Sequence, residues 1–426
     1  LSANSAGSLS INGAGNVQVA TVNGIGDVSG AASLDITTAN GDITAKTIAG
    51  DVKLAKGTNL TVNGAGGDVS ADDISGKLKA SDIDGGITSS TNLGSLDATT
   101  VGGDISVAAV QNELKVDDVK NVWASGTVGS VNAKNAGKLS FVDVTNQLEA
   151  SNTGDIDATG KIGSLDAKSA GEISIEEVGG VASVIDAKSL SITTAGSEVT
   201  AKNIAGNVEI ANGSDLIVRD AKGVVADNLS GKLDAANIGE NGITSAGSID
   251  SVSASAVNGD ISVNTVVGEL KVNGAKNVSA SGTLGSADIK DAGDIDFQND
   301  VAGEIKARDV LNIIAQKAKS LDVNGAKDVS VAEIGIGDAN VRYADSLAVS
   351  GNVAGNVKAE SITGDVSVGG KVGGNVKAAD IGGDLSLADV DGQLDATDIG
   401  GAVSADTVKG VTKVVGADSL TISVAE

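Results

Sequence analysis

The strongest candidates for chemistry in this sequence are three pairs of adjacent acidic residues. They stand in stretches that are otherwise rich in Gly, Ala, Ser and Val. Calcium takes six to eight oxygen ligands, and neighbouring carboxylates supply several of them at once. We therefore treat calcium as the candidate cofactor, with these candidate ligands: Asp72, Asp73, Asp117, Asp118, Glu176 and Glu177.

A second set of acids follows glycine at regular intervals. The dipeptide recurs at Gly41-Asp42, Gly50-Asp51, Gly103-Asp104, Gly259-Asp260, Gly364-Asp365 and Gly383-Asp384. Stacked aspartates could form a calcium ladder, but Asp beside glycine also caps a turn. The same slot holds other residue types elsewhere, which favours the turn interpretation: Lys77, Lys232, Glu172 and Asn207.

The chain contains few of the residue types that enzymes use for catalysis. The 426 residues include no histidine, cysteine, methionine or proline, and only four are aromatic. A serine–histidine triad and thiol chemistry are therefore impossible, whereas Ser–Lys or paired-carboxylate arrangements stay open. The short repeats described below leave no long loops to build a cleft, so we expect that the chain is not an enzyme.

The net charge limits the partners. At a formal charge of −26, the chain repels nucleic-acid phosphates and anionic membranes. No stretch has the 18 or so apolar residues of a membrane helix, and no signal peptide is recognisable. We expect neither nucleic-acid binding nor a membrane span. We interpret the chain, which opens at Leu1 without methionine, as a portion of something longer.

The elements that carry these residues are set by a long internal repeat. A shift of 156 residues maps Gly103 onto Gly259 and Phe141 onto Phe297. Two full copies, 7–162 and 163–318, precede a shortened third copy, 319–426. A loss of residues within one copy is tolerable only in a modular fold.

Within each copy a shorter phrase of about nine residues recurs, 18 times in 7–162. Positions three and five are apolar and alternate as on one face of a strand, while an apolar residue at position eight requires a bend before it. Glycine or asparagine then opens the next strand, where we expect a positive φ. Strands this short favour a parallel β-solenoid over hairpins.

We therefore predict an all-β fold in which residues 1–426 form one continuous parallel β-solenoid, with the right-handed β-helix preferred. Eighteen short repeats per copy suit nine two-sided coils or six three-sided ones, and both stay open. Frequent alanine at position five, as at Ala45, Ala71 and Ala80, predicts a thin interior. Phe141 and Phe297 should stack in the core, whereas Trp123, whose repeat counterpart is Ser279, should point outward.

Phrases such as "SITGDVSVGG" and "GGNVKAADIGGDLSLADVDG" resemble the Gly-Asp-Val repeats of the bacterial putative-adhesin family of β-solenoids. They also resemble the rungs of bactofilins, less closely. The composition is similar to that of bacterial surface-layer proteins and giant adhesins exported by type I secretion. That resemblance implies an extracellular array, often held by calcium and anchored to lipopolysaccharide through another domain. The G-G-x-G-x-D nonapeptide of RTX proteins is absent; "GIGD" at 24–27 and 335–338 comes closest.

These observations predict a structural protein of the bacterial cell surface. It would be a rigid rod that self-assembles into an extracellular array like a surface layer, with calcium assisting. Its partners would be copies of itself, and cell-surface glycan or lipopolysaccharide through regions outside this chain. One alternative is an adhesin stalk that projects a distant binding domain. A less favoured alternative is a polysaccharide-cleaving β-helix enzyme, which an assay of polysaccharide breakdown would reveal.

Overall fold

The computed structural model describes residues 1–410 and 412–425. The fold is all-β, with 80% of residues in strands and no helix in the part of the chain described. Every strand pairing is parallel, and the strands form a β-solenoid of about 25 turns. The predicted fold class is therefore confirmed, while the handedness of the coil stays a prediction.

The chain divides into two compact units, Leu1–Ile210 and Ala211–Glu426. This boundary coincides with neither of the boundaries between the 156-residue copies. The strands of the first unit are β1 Ser2–Ala6, β2 Leu9–Val22, β3 Gly26–Ala39, β4 Ile43–Ile48, β5 Val52–Lys56, β6 Leu60–Ala65, β7 Val69–Ala71, β8 Ile74–Ile83, β9 Ile87–Val101, β10 Ile105–Val119, β11 Val122–Ala136, β12 Leu139–Thr153, β13 Ile156–Val178 and β14 Ala182–Ala195.

Strand β15, Val199–Gly213, begins in the first unit and ends in the second. The strands of the second unit are β16 Leu216–Val257, β17 Ile261–Ala275, β18 Val278–Ala280, β19 Leu284–Ala292, β20 Ile295–Phe297, β21 Val301–Val310, β22 Asn312–Ile334, β23 Ala339–Val349, β24 Val357–Ile362, β25 Val366–Val368, β26 Val376–Ile381, β27 Leu385–Val390, β28 Leu394–Ile399, β29 Ala402–Val408, β30 Thr412–Val415 and β31 Ser419–Ala425.

Each coil contains two of the nine-residue repeats. Paired residues are 16 to 19 positions apart, as in Ile43 with Leu60 and Val52 with Val69. A third repeat per coil would need a separation near 27, so the coil is two-sided. We call the two repeats arc A, represented by 41–49, and arc B, represented by 50–58. In the first unit a 156-residue shift spans nine coils, which explains why that shift preserves the pattern.

The core lies between the two arcs and follows the predicted positions. In β4 the buried residues are Ile43, Ala45 and Ile48, at positions three, five and eight. Phe141 and Phe297 are 3% and 1% exposed, which confirms that they belong to the core. Parallel coils about 4.8 Å apart stack equivalent side chains into ladders, so one residue's size constrains its neighbours above and below.

The two arcs differ in a way that the consensus hides. From Gly13 to Gly416, the seventh residue of every arc A has φ between 46° and 88°. Among the arc B residues that the structure describes, only Asp73 and Gly242 have positive φ. The bend predicted before position eight is thus made in arc A by a residue in the left-handed conformation. We call the segment from this residue to the second residue of the following arc B, for example 47–51, the tight corner.

Threonine in the left-handed position allows a matched test. Thr47 has φ 50°, which costs a β-branched residue of the order of 1–2 kcal/mol, whereas Thr38 occupies the same slot of arc B without positive φ. We expect Thr47→Gly to raise the free energy of unfolding by about 1 kcal/mol and Thr38→Gly to lower it by a similar amount. Denaturant unfolding of both variants measures this, and equal effects at the two sites would contradict it.

The expectation that opening glycines adopt positive φ is wrong. Gly41 and Gly103 have no positive φ, but a Cβ at Gly41 would lie 2.6 Å from the carbonyl oxygen of Gly24 in the coil below. A Cβ at Gly103 would lie 2.6 Å from the amide nitrogen of Gly86. At Gly41 and Gly103 the neighbouring coil lies too close for a side chain, so glycine is favoured at these two positions.

This close approach predicts position-specific costs. Gly41→Ala should lower the free energy of unfolding by about 1–3 kcal/mol, because the backbone carbonyl of Gly24 cannot retreat. Gly15 has no atom within 4 Å of a built Cβ and no positive φ, so Gly15→Ala should be neutral or stabilising by about 0.5 kcal/mol. Guanidinium unfolding midpoints test this pair; equal destabilisation would mean that corner crowding is not the cause.

Candidate functional surfaces

The structure places the candidate calcium ligands at positions six and seven of three separate arcs in the first unit. Asp72-Asp73 and Glu176-Glu177 lie on arc B, whereas Asp117-Asp118 lies on arc A. The two arc B pairs are six coils apart, or about 29 Å at the usual 4.8 Å spacing. The fold therefore does not bring the three pairs together.

At least one carboxylate of each pair is already engaged, and in the first pair both are. Asp72 Oδ1 accepts hydrogen bonds from the amide nitrogen and the hydroxyl of Ser90, at 2.7 and 2.8 Å, and Lys56 pairs with Asp73 at 3.0 Å. Asn135 donates to Asp117 Oδ1 at 2.9 Å.

In the third pair, Lys161 Nζ lies 2.6 Å from Glu177 Oε1, while Glu176 is exposed. Across residues 1–410 and 412–425, no group of three or more acidic side chains is arranged to hold a metal ion. Each pair alone offers too few free oxygens for the six to eight that calcium takes. Calcium binding here would require further oxygens from backbone carbonyls, water or a second molecule, so the calcium assignment stays a prediction.

The carboxylates of the Gly-Asp dipeptides accept hydrogen bonds from the next coil. Asp51 Oδ1 accepts from the amide of Asp68 at 2.9 Å, and Asp384 Oδ1 accepts from the amide of Ala402 at 2.8 Å. Where the equivalent residue of the next coil is asparagine, its side-chain amide donates the hydrogen bond instead, as from Asn121 to Asp104 at 2.9 Å. These bonds run between coils, whereas a turn cap would run within one turn. The corner acids therefore fasten successive coils together.

The two outward faces carry different side chains. In the second unit, positions four and six of arc A form a face that we call the cationic face. Its positive residues are Arg219, Lys271, Lys290, Lys306, Arg308, Arg342, Lys358, Lys377 and Lys413, and its negative ones are Asp234, Asp288, Asp322, Glu360 and Asp395. All three arginines of the chain are among them.

The opposite face, at position four of arc B, is dominated by serine and threonine. In the first unit Trp123 interrupts it, 56% exposed and in register between Ser106 and Ser140. This confirms that Trp123 points outward. In the second unit its counterpart Ser279 lies between Ser262 and Asp296. A lone exposed indole on a polar face does not by itself define a binding site.

Ion pairs partly neutralise the cationic face. Lys306 Nζ lies 3.0 Å from Glu304, and this hydrogen bond and the charge of Glu304 raise the pKa of Lys306. Lys358 lies 2.9 Å from Glu360, and its hydrogen bond lowers the pKa of Glu360. These pairs are solvent-exposed and screened by water, so each adds little to stability.

A polar cleft of about 400 Å³ opens on this face, lined by Asp288, Lys306, Arg308, Asp322, Asn324 and Arg342. Arg342 Nη2 lies 3.6 Å from Asp322 Oδ1, which exceeds hydrogen-bond length. The Nε of Arg342 is buried there and finds no hydrogen-bond partner in the described part of the chain. This one unsatisfied donor and the cationic lining mark the cleft as a place where an added acceptor would be favourable.

Comparison with known proteins returned no matching family model, no matching curated protein and no matching solved structure. Among the described residues, no helix is both long and apolar enough to cross a membrane. The fold and the repeated pattern define the class: a parallel β-solenoid repeat protein.

Proposed function

We propose that this chain is a structural protein of the bacterial cell surface that self-assembles into an extracellular array, as the resemblance to surface-layer proteins implies. In this role the chain supplies stiffness and spacing rather than catalysis. The observation that carries the proposal is the hydrogen bonding between coils, which runs along both arcs and through the corners. Ala49 at a corner donates to Ala31 at 2.9 Å, and Ile43 in a strand donates to Asn59 at 3.1 Å.

Such bonding makes each compact unit resist bending. Every coil is tied to the next by strand ladders and by corner side chains, and few residues lie outside strands. In a solenoid each repeat contacts only its neighbours, so stiffness grows from many equivalent contacts. Calcium would assist assembly by bridging exposed acids of neighbouring molecules, since one molecule's acid pairs are incomplete as ligand sets.

Negative-stain electron microscopy of the purified 426-residue chain, with calcium and with EDTA, tests this function. We expect sheets or rows in calcium and shorter assemblies in EDTA. Single particles in both conditions, even at high protein concentration, would contradict an array role and favour the adhesin stalk. Assemblies that EDTA leaves unchanged would remove calcium from the proposal and keep the array.

A further inference from the structure

The charge of the second unit is distributed unevenly around the coil. Counted over residues 211–426, the unit has 17 Lys and Arg and 31 Asp and Glu. Nine of those cations but only five of those acids lie on the cationic face, giving it a net charge of +4. The rest of the unit has a net charge of −18. The second unit is thus strongly acidic overall but has one face with a net positive charge.

The acids of the second unit concentrate at the tight corner, which follows the cationic face along the chain. This corner has only three lysines, Lys222, Lys276 and Lys327. Its acidic residues are Asp220, Glu240, Asp260, Asp291, Asp294, Asp309, Asp328, Asp345, Asp365, Asp380, Asp384, Asp398 and Asp418. Face and corner are thus two different patches of opposite sign on one unit.

We propose that the cationic face binds the acidic tight corner of a second copy of this chain. This inference rests on the proposed function and names the contact that builds the array. Both patches repeat with the coil spacing of about 4.8 Å, so charges on one copy meet charges on the other at a common interval. The cleft on this face is lined by Lys306, Arg308 and Arg342, which provide cationic donors for an incoming carboxylate.

The dimensions set the strength of one such contact. Lys271 and Lys413 are eight coil steps apart, about 38 Å, and an arc of four to five residues is about 15 Å wide. The part of the face from Lys271 to Lys413 therefore covers about 600 Å² on one copy, near the lower limit of a specific interface. A single pair should bind weakly, and salt should weaken it further because exposed charges are screened.

A contact between two different patches has a consequence for assembly. Each copy that uses its face still has a free corner, so the contact is heterologous and repeats from molecule to molecule. Open rows follow when the rotation does not close a ring. This favours a second copy over an acidic polymer as the occupant, because the chain itself carries both complementary patches.

The test compares two double variants with equal charge loss. Arg308→Ser/Arg342→Ser removes two cations from the face, whereas Lys276→Ser/Lys327→Ser removes two from the tight corner. Sedimentation velocity of the full chain in 50 mM and 500 mM NaCl measures association. We expect the face variant to weaken association at least about tenfold and the corner variant to leave it equal or tighter. Circular dichroism and unfolding midpoints check that both variants fold.

A third variant, Asp294→Asn/Asp328→Asn, weakens the corner. Mixed with the face variant, it should form pairs that do not grow, because each partner keeps only one working patch. If the wild type assembles and the face variant assembles equally well, this contact is wrong while the array function stands. If the wild type is monomeric in every salt and calcium condition, both fail. Arginine-dependent binding of heparin by a monomeric wild type would assign the face to an acidic polymer and overturn the proposal.

Discussion

Replacing Phe297 by alanine is expected to lower the free energy of unfolding by about 3–5 kcal/mol, the range for removing a buried aromatic ring. Phe297 is 1% exposed and is paired with Ala280 in one neighbouring coil and Ala315 in the other. The ring fills space that these alanines leave. Its loss would put three alanines in a row, and hydrogen-bonded coils cannot collapse to close the gap.

Two controls make this prediction specific. Phe297→Leu keeps most of the volume and should cost less than about 1.5 kcal/mol. The double variant Ala280→Phe/Phe297→Ala moves the ring by one coil and should recover part of the loss, a coupling that a double-mutant cycle measures. Guanidinium unfolding gives the free energies. A loss below about 1 kcal/mol for Phe297→Ala would mean that the core is not tightly packed here.

Most of what the sequence predicted correctly about the fold came from the repeat pattern. Alternation of Ile43 and Ala45 defined a strand face, and Ile48 required a bend, because side-chain direction in a strand has a period of two. The number of sides per coil could not follow from this pattern, since both arcs share the consensus. Their difference is in backbone conformation, and residues as varied as Thr47 and Tyr343 occupy the left-handed position.

The surfaces were less predictable than the core. The acid pairs were easy to find because their members are neighbours in the sequence. The fold nevertheless places different pairs on different coils, as with Asp72 and Glu176. The cationic face was missed because its members are 16 to 19 residues apart and become neighbours only through coil register, as with Asp288 and Lys306. Sorting charges by position within the short repeat, with the two arcs separated, would have revealed it.

The absence of proline from all 426 residues has a physical explanation in the corners. Strand ladders exclude proline because a bonded amide is needed, but ordinary turns accept it. Here corner amides are also bonded to the coil below: Asn40 donates to Val22 at 2.8 Å, and Gly102 donates to Ile83 at 2.8 Å. A proline in such a turn would remove a bond between coils, just as it does in a strand.

We therefore expect Ala49→Pro to be as damaging as a proline inside a strand, although Ala49 is an exposed corner residue. Its amide donates to the carbonyl oxygen of Ala31 at 2.9 Å, and the proline ring would be forced against that oxygen. The expected loss in the free energy of unfolding is about 3 kcal/mol. Ala49→Ser keeps the amide and should change stability by less than about 0.5 kcal/mol.

Hydrogen exchange distinguishes the cause of this loss. If the corner bond ties the two coils together, Ala49→Pro should speed exchange in the coils that contain Ala31 and Ala49 and leave distant coils of the same unit protected, because each coil contacts only its neighbours. Equal unfolding midpoints for the proline and serine variants would show that corner amides do not hold the coils together. The stiffness on which an array role depends would then rest on the strand ladders alone.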